Sequence, residues 1–270
     1  MKIAYIIDSM TTLDCEYRKK HHIYIMPLEV ILDGTSYEEN VDITPKEFYE
    51  NIAAYQDLKT SQPAIGKVID KFEQLQREGY EKIVVFSLSS KGSGAYATYC
   101  MVKDMVDIEV EVIDTLGASY VTSTLLQRYI ENGEDEEQRT NHLARSKFLV
   151  VPQDLKQLHK SGRVSGLSFI LGNLLKIQPI LEMKNGEVLL QEKVRKQKQV
   201  EQYVLQELGK GTIENNHLHI MHTCEEQKGA MWKQLILEKF PHLVITFSEV
   251  PVSIGVHNGR GTMIFSWFYE

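Results

Sequence analysis

Between Lys82 and Tyr129 the chain alternates twice between a short β-rich run and a longer stretch of helical character. "KIVVFSL" precedes a helical stretch from Gly94 to Met105, and "EVEVID" (Glu109 to Asp114) precedes another from Gly117 to Tyr129. Such repetition buries both element types efficiently only when the strands lie side by side in a parallel sheet covered by helices. Two more β-rich runs come earlier, "KIAYII" (Lys2 to Ile7) and "IYIMPLEVILDG" (Ile23 to Gly34), the second closing in an Asp-Gly turn. A helix is expected from Thr44, with Pro45 in its first turn and Glu47 completing a capping box. Ile65, Val68, Ile69, Phe72 and Leu75 recur at helical spacing in another helix, which Gly79 ends.

The rhythm changes after the polar, acidic stretch Glu131 to Asn141, the best candidate for a linker. "KFLVV" reads as a strand, and helices are expected to fill Asp154 to Lys176. Asn185-Gly186 between two β-rich runs signals an antiparallel hairpin, so the sheet of this half must be mixed. Further helices and strands lead to the β-rich "GTMIFSWFYE". The expected fold is α/β, with a parallel sheet in residues 1–145 and a mixed one in 146–270, as two domains or one large one. A length of 270 residues accommodates two such units.

A formal net charge of −7 disfavours nucleic acid as a partner. The basic "EKVRKQKQ" (Glu192 to Gln199) reads as a solvated turn and helix start. The three cysteines, Cys15, Cys100 and Cys224, are far apart, with neither zinc-ligand spacing nor a disulfide framework. Reduced thiols fit the cytoplasm. The N-terminus lacks the pattern of a signal peptide, and no run of about 18 apolar residues suits a membrane span.

Ligands of a parallel α/β sheet bind beyond the carboxyl ends of its strands. There "SSKGSGAY" places Ser89, Ser90, Ser93 and Gly94 before a helix, where small residues let backbone N–H groups approach an anion. Ser9 follows the first strand in the same way. For any one serine, simple helix capping is about as good an explanation. "KTSQPAIG" (Lys59 to Gly66) puts Thr60 and Ser61 in a polar loop at a helix start. "HKSGRVSG" (His159 to Gly166) holds Arg163 in a loop between helices. Glycines explain the turn in "VHNGRG" (Val256 to Gly261) but not His257. Ser93 and His257 could meet, and Asp8 or Asp114 could supply a carboxylate, yet no spacing requires a triad. Neither a Walker motif nor a nucleophile elbow is present. The residues alone therefore describe an anion-binding α/β protein with hydroxyl donors and a candidate histidine.

The ordered series "DSM", "TSQP", "SSKGSGAY", "SGRVS", "LGNLLKIQPIL" and "HNGRG" resembles the DegV family, over a span from Asp8 to Gly261. The resemblance implies two domains, an N-terminal α/β layer sandwich and a C-terminal α/β domain with a mixed sheet, and one bound long-chain fatty acid, its carboxylate at the domain interface and its acyl chain in an apolar tunnel. It also implies no cofactor, no metal and no nucleotide site. Its better-understood members are carrier subunits that present the carboxylate to a separate ATP-binding kinase subunit. The carboxylate donors map onto Thr60 and Ser93, with Ser61 and Gly94 beside them and His257 and Asn258 close by. Arg163 matches the family's loop arginine, and Arg195 a basic position that faces the kinase. Departures from the family pattern stand at Met10, Gly92, Ala95, Ser161, Asn258 and Arg260, the last near the expected mouth. Two other readings are a serine-dependent acyl hydrolase or transferase using Ser93 with His257, and a lipid sensor without a kinase partner.

Overall fold

A computed structural model describes residues 1–153, 155–165 and 177–270. In chain order the first half comprises β1 (Ile3–Asp8), α1 (Cys15–Lys20), β2 (Ile23–Met26), β3 (Glu29–Leu32), β4 (Thr35–Glu38), α2 (Pro45–Asn51), β5 (Leu58–Ser61), α3 (Ile65–Arg77), β6 (Lys82–Ser87), α4 (Ala95–Lys103), β7 (Glu109–Asp114), α5 (Tyr120–Asn132) and α6 (Glu136–Arg145). The second comprises β8 (Ser146–Val151), α7 (Leu155–Ser161), β9 (Val164–Ser165), β10 (Gln178–Lys184), β11 (Glu187–Val194), α8 (Gln197–Leu208), β12 (His217–His222), α9 (Glu226–Lys239), β13 (Val244–Glu249), α10 (Val252–Asn258) and β14 (Met263–Phe268).

The expected α/β fold is present. β2-β1-β6-β7 form a wholly parallel four-stranded sheet. β13-β12-β14-β8-β10-β11-β9 form a mixed seven-stranded sheet, and β4-β3-β5 a small antiparallel one. The α2 capping box is made in full: Thr44 Oγ1 accepts from Glu47 N–H, and Glu47 Oε2 accepts from Thr44 N–H. Val68, Phe72 and Leu75 are the buried stripe of α3. Asn185 and Gly186, both at positive φ, turn the β10–β11 hairpin as their sequence requires.

Four expectations need correction. The run Ile23 to Gly34 is two strands in different sheets, because Pro27 interrupts it between β2 and β3. Thr60 and Ser61 do not sit in a loop at a helix start. They belong to β5, paired with Val30 and Glu29, and α3 begins only at Ile65. The supposed linker is the end of α5 and the start of α6. Asp135 Oδ1 caps Gln138 N–H while Gln138 Oε1 accepts from Asp135 N–H, and buried Glu134 pairs with Arg128 and His142. Within the helical stretch expected over Asp154 to Lys176, α7 ends at Ser161 and Arg163 leads from it into β9 rather than into a second helix. Residues 166–176, including the start of the "LGNLLKIQPIL" run, lie outside the described residues.

The mixed sheet has two unlike faces. Leu149, Val151 and Ile180 pack into a core with Val200, Val204, Trp232 and Trp267. Phe148, Val150 and Leu181 face the other way. They join a core that also contains Ile6, Val85 and Phe86 of the parallel sheet, together with Val252 and Val256 of α10. This second face is where the two halves of the chain meet.

Candidate functional site

A cavity of about 550 Å³ lies on that shared face, within the range of small-molecule sites. It passes beyond the carboxyl ends of the parallel strands, where the topology of an α/β sheet favours binding. Its lining combines two chemistries: Thr60, Ser61, Ser93, Arg163 and His257 are polar, and Met10, Leu88, Phe148, Val150, Val188 and Ile254 are apolar.

The polar part is assembled from four separate segments. Thr60 comes from β5 and His257 from the last turn of α10, and Thr60 Oγ1 and His257 Nε2 share a hydrogen bond of 2.9 Å. Burial, reinforced by the positive charge of Arg163, pushes His257 down to about 4. The imidazole is therefore neutral at pH 7 and offers one donor and one acceptor. Ser93 Oγ accepts from Ala95 N–H at 3.2 Å, which leaves its own proton to donate. Arg163 is exposed at the cavity and donates from Nη1 to Ser161 O at 2.8 Å.

Other residues of the opening motif serve the scaffold. Ser89 is fully buried and donates to Gly186 O at 2.7 Å, tying the β10–β11 hairpin to the loop after β6. Ser90 N–H and Leu116 N–H both donate to Asp114 Oδ1, at 3.2 and 3.0 Å. Gly94 lines the cavity and leaves room for Gln62, since a Cβ there would come within 3.0 Å of Gln62 Oε1. Asn258 also lines the cavity, but its Nδ2 donates back to Ile254 O.

Sequence reasoning missed Glu39. This carboxylate is wholly buried beneath the site. It accepts from Ser9 Oγ at 2.5 Å, Ser253 N–H at 2.8 Å and Ser253 Oγ at 3.0 Å, and so joins β1 to the start of α10. Burial raises its pKa. Asp8, also wholly buried, accepts from Leu88 N–H at 2.9 Å and is pushed up to about 7, first by burial and, among lesser causes, by the charge of Glu39. Nothing in "SYEENV" announces a buried acid; only the tertiary approach of Ser9 and Ser253 does.

Two further placements differ from expectation. Ser93 and His257 line one cavity, yet the imidazole nitrogen bonds Thr60 rather than Ser93. Arg260 is not at the cavity but turns to Tyr49 O and Glu225. Arg195 lies outside the cavity too, at the exposed start of α8, where its N–H donates to Gln199 Oε1. Met10, in place of a polar family residue, is buried and extends the apolar wall.

The family model that matches residues 2–270 is that of the DegV family, described as uncharacterised proteins. This chain belongs to the DegV family. A DegV domain-containing protein of Staphylococcus aureus is 33% identical, over 96% of this chain and 95% of the relative. A crystal structure of DegV from Bacillus subtilis, described as a fatty acid binding protein, superposes with a TM-score of 0.84 at 26% identity, covering 100% of both chains. A fatty acid binding DegV family protein of Streptococcus agalactiae gives a TM-score of 0.85 at 25% identity, over 100% of this chain and 99% of the other. Among the described residues no helix is long and apolar enough to cross a membrane.

Proposed function

We propose that this chain binds one long-chain fatty acid in the cytoplasm and presents its carboxylate to a separate ATP-binding kinase subunit, which makes the acyl phosphate. The observation that carries the reading is that one cavity joins a hydrogen-bonded Thr60–His257 pair and the Ser93 hydroxyl to a wall of apolar side chains. A fatty acid combines the same two chemistries. Its carboxylate accepts from Ser93 and from one member of the Thr60–His257 pair, the other proton of that pair being held in their mutual hydrogen bond, with the Arg163 charge near by, while the acyl chain leaves water along Met10, Leu88, Val150 and Ile254. The relatives from Bacillus subtilis and Streptococcus agalactiae are described as fatty acid binding, which supports the same ligand class. No cofactor is required of this chain, because ATP is the partner's substrate. The hydrolase reading is weaker, since the base such an enzyme needs is engaged with Thr60.

Lipid extracted from the purified protein and weighed by mass spectrometry tests binding. Recovery of no fatty acid, together with no uptake from solution, ends the reading. Delivery is tested by Arg163→Ala with the cognate kinase subunit. Lipid occupancy near wild type with acyl-phosphate formation cut at least about tenfold is expected, more than a surface ion pair accounts for. Unchanged phosphorylation removes Arg163 from delivery and favours a lipid sensor.

A further inference from the structure

The cavity follows the order of the parallel sheet. The Thr60–His257 pair stands at the β5–α10 end; Met10 follows β1, Leu88 and Ser93 follow β6, and Ala118 follows β7. β1, β6 and β7 are successive neighbours, so a chain entering from the polar part travels towards β7. Past Ala118 a second, smaller cavity of about 150 Å³ opens between Leu116, Val121, Leu143 and the strands β8 and β10. Among the described residues, Phe148 and Met183 alone line both cavities. They occupy the same face of neighbouring strands: Phe148 alternates with Val150, Met183 alternates with Leu181, and Leu181 pairs with Val150. Beyond them the lining includes Leu143, Ala144 and Ser146, while the Lys147–Glu182 ion pair, at 2.8 Å, reaches Glu207 of α8 on the opposite face of the sheet.

Resting on the fatty-acid reading, we infer that Phe148 and Met183 form a partition that stops the methyl end of the acyl chain and sets the longest fatty acid accepted. Each methylene that finds apolar space tightens binding by roughly fourfold. That gain ends where the next group would press on the partition, because forcing extra methylenes into packed side chains costs more than their burial returns. Phe148 is buried in the shared core. Met183 is only partly buried, and its unbranched side chain packs adaptably, so it can be changed without dismantling the core.

The test is a titration of delipidated wild type, Met183→Ala and Met183→Phe with myristate, palmitate, stearate, arachidate and behenate, by competition against a fluorescent fatty acid. Wild-type affinity is expected to rise along the series to a limiting length and then fall. Met183→Ala moves the limit to longer chains, with a gain of at least about tenfold for the first acid beyond the wild-type limit and palmitate kept within about threefold. Met183→Phe moves it to shorter chains. The same limiting length in all three proteins overturns the partition while the lipid reading stands. If Met183→Ala does not fold, Met183→Phe decides by the same shift, since it removes no volume from the core. A wild type that takes up no acid of any length overturns the lipid reading, and the partition with it.

Discussion

Ser93 carries the sharpest single-residue expectation. Its hydroxyl is fixed by Ala95 N–H and keeps a proton for a carboxylate. Hydrogen bonds to charged groups contribute about 1.5–3 kcal/mol, so Ser93→Ala should weaken fatty-acid binding by about one to two orders of magnitude in a calorimetric titration, with the thermal melt of the lipid-free protein unchanged. Equal affinity would remove Ser93 from the head-group site. Asp8 yields a second expectation, in pH. Its folded pKa, about 7, is raised above its ordinary value of 3.8, so the native state holds the proton more tightly than the unfolded chain. Its contribution to stability is full below about 3.8 and is lost as pH rises towards 7. Asp8→Asn should therefore gain stability relative to wild type between pH 4 and 7. His257, with its pKa depressed, acts in the opposite sense over the acid part of that window, which is why the variant-minus-wild-type difference is the quantity to follow in urea titrations. A flat difference would mean that Asp8 titrates like a solvated carboxylate. The hydroxyls and the histidine were legible in the sequence because hydroxyls follow strands where ligands bind and glycines do not explain an imidazole. Glu39 and Asp8 as buried, interacting acids were not, because burial is a property of the partners that close over them.

At the scale of elements, the legible features were those encoded within a few residues: the α2 capping box, the Asn185–Gly186 hairpin and the alternation from β6 to α5. Composition misled where a local signal was overlooked. Residues Glu131 to Asn141 look like a linker because they are acidic and polar, yet Asp135 and Gln138 form a capping box that starts α6. Thr60 and Ser61 look like a loop because β5 has only four residues, and its partner β3 is far away in sequence. The β10–β11 turn links local code to the site. Gly186 has φ +84°, and a Cβ there would come within 2.5 Å of Ser89 Oγ and 3.0 Å of Leu116 Cδ2. Gly186→Ala should therefore cost about 1–3 kcal/mol in chemical denaturation. It should also weaken fatty-acid binding, because Gly186 and Glu187 line the cavity and Gly186 O holds Ser89 of the loop that carries Ser93. Lost stability with unchanged affinity would show that the hairpin tip holds the fold without shaping the site.

At the scale of the whole molecule, the strands of the parallel sheet come from one half of the chain and those of the seven-stranded sheet from the other, yet they share a core. Ile6, Val85 and Phe86 pack in the same cluster as Phe148, Val150, Leu181 and Val256, and the cavity is a gap within that cluster. A ligand there touches both halves at once. The free energy of its binding is thus added to the folded state of the entire chain rather than to one lobe, and a ligand that binds only the native state stabilises it by about 2.7 kcal/mol when present at a hundred times its dissociation constant. Stripping the lipid should lower the melting temperature, and returning palmitate should restore it in proportion to the logarithm of the free concentration. Because the shared core couples the halves, heat should unfold the chain in a single transition that moves as a unit when palmitate is added. Calorimetry with and without palmitate decides the matter. Two transitions, only one of them shifted by the ligand, would mean that the halves unfold separately and that the acyl chain is held by one of them alone.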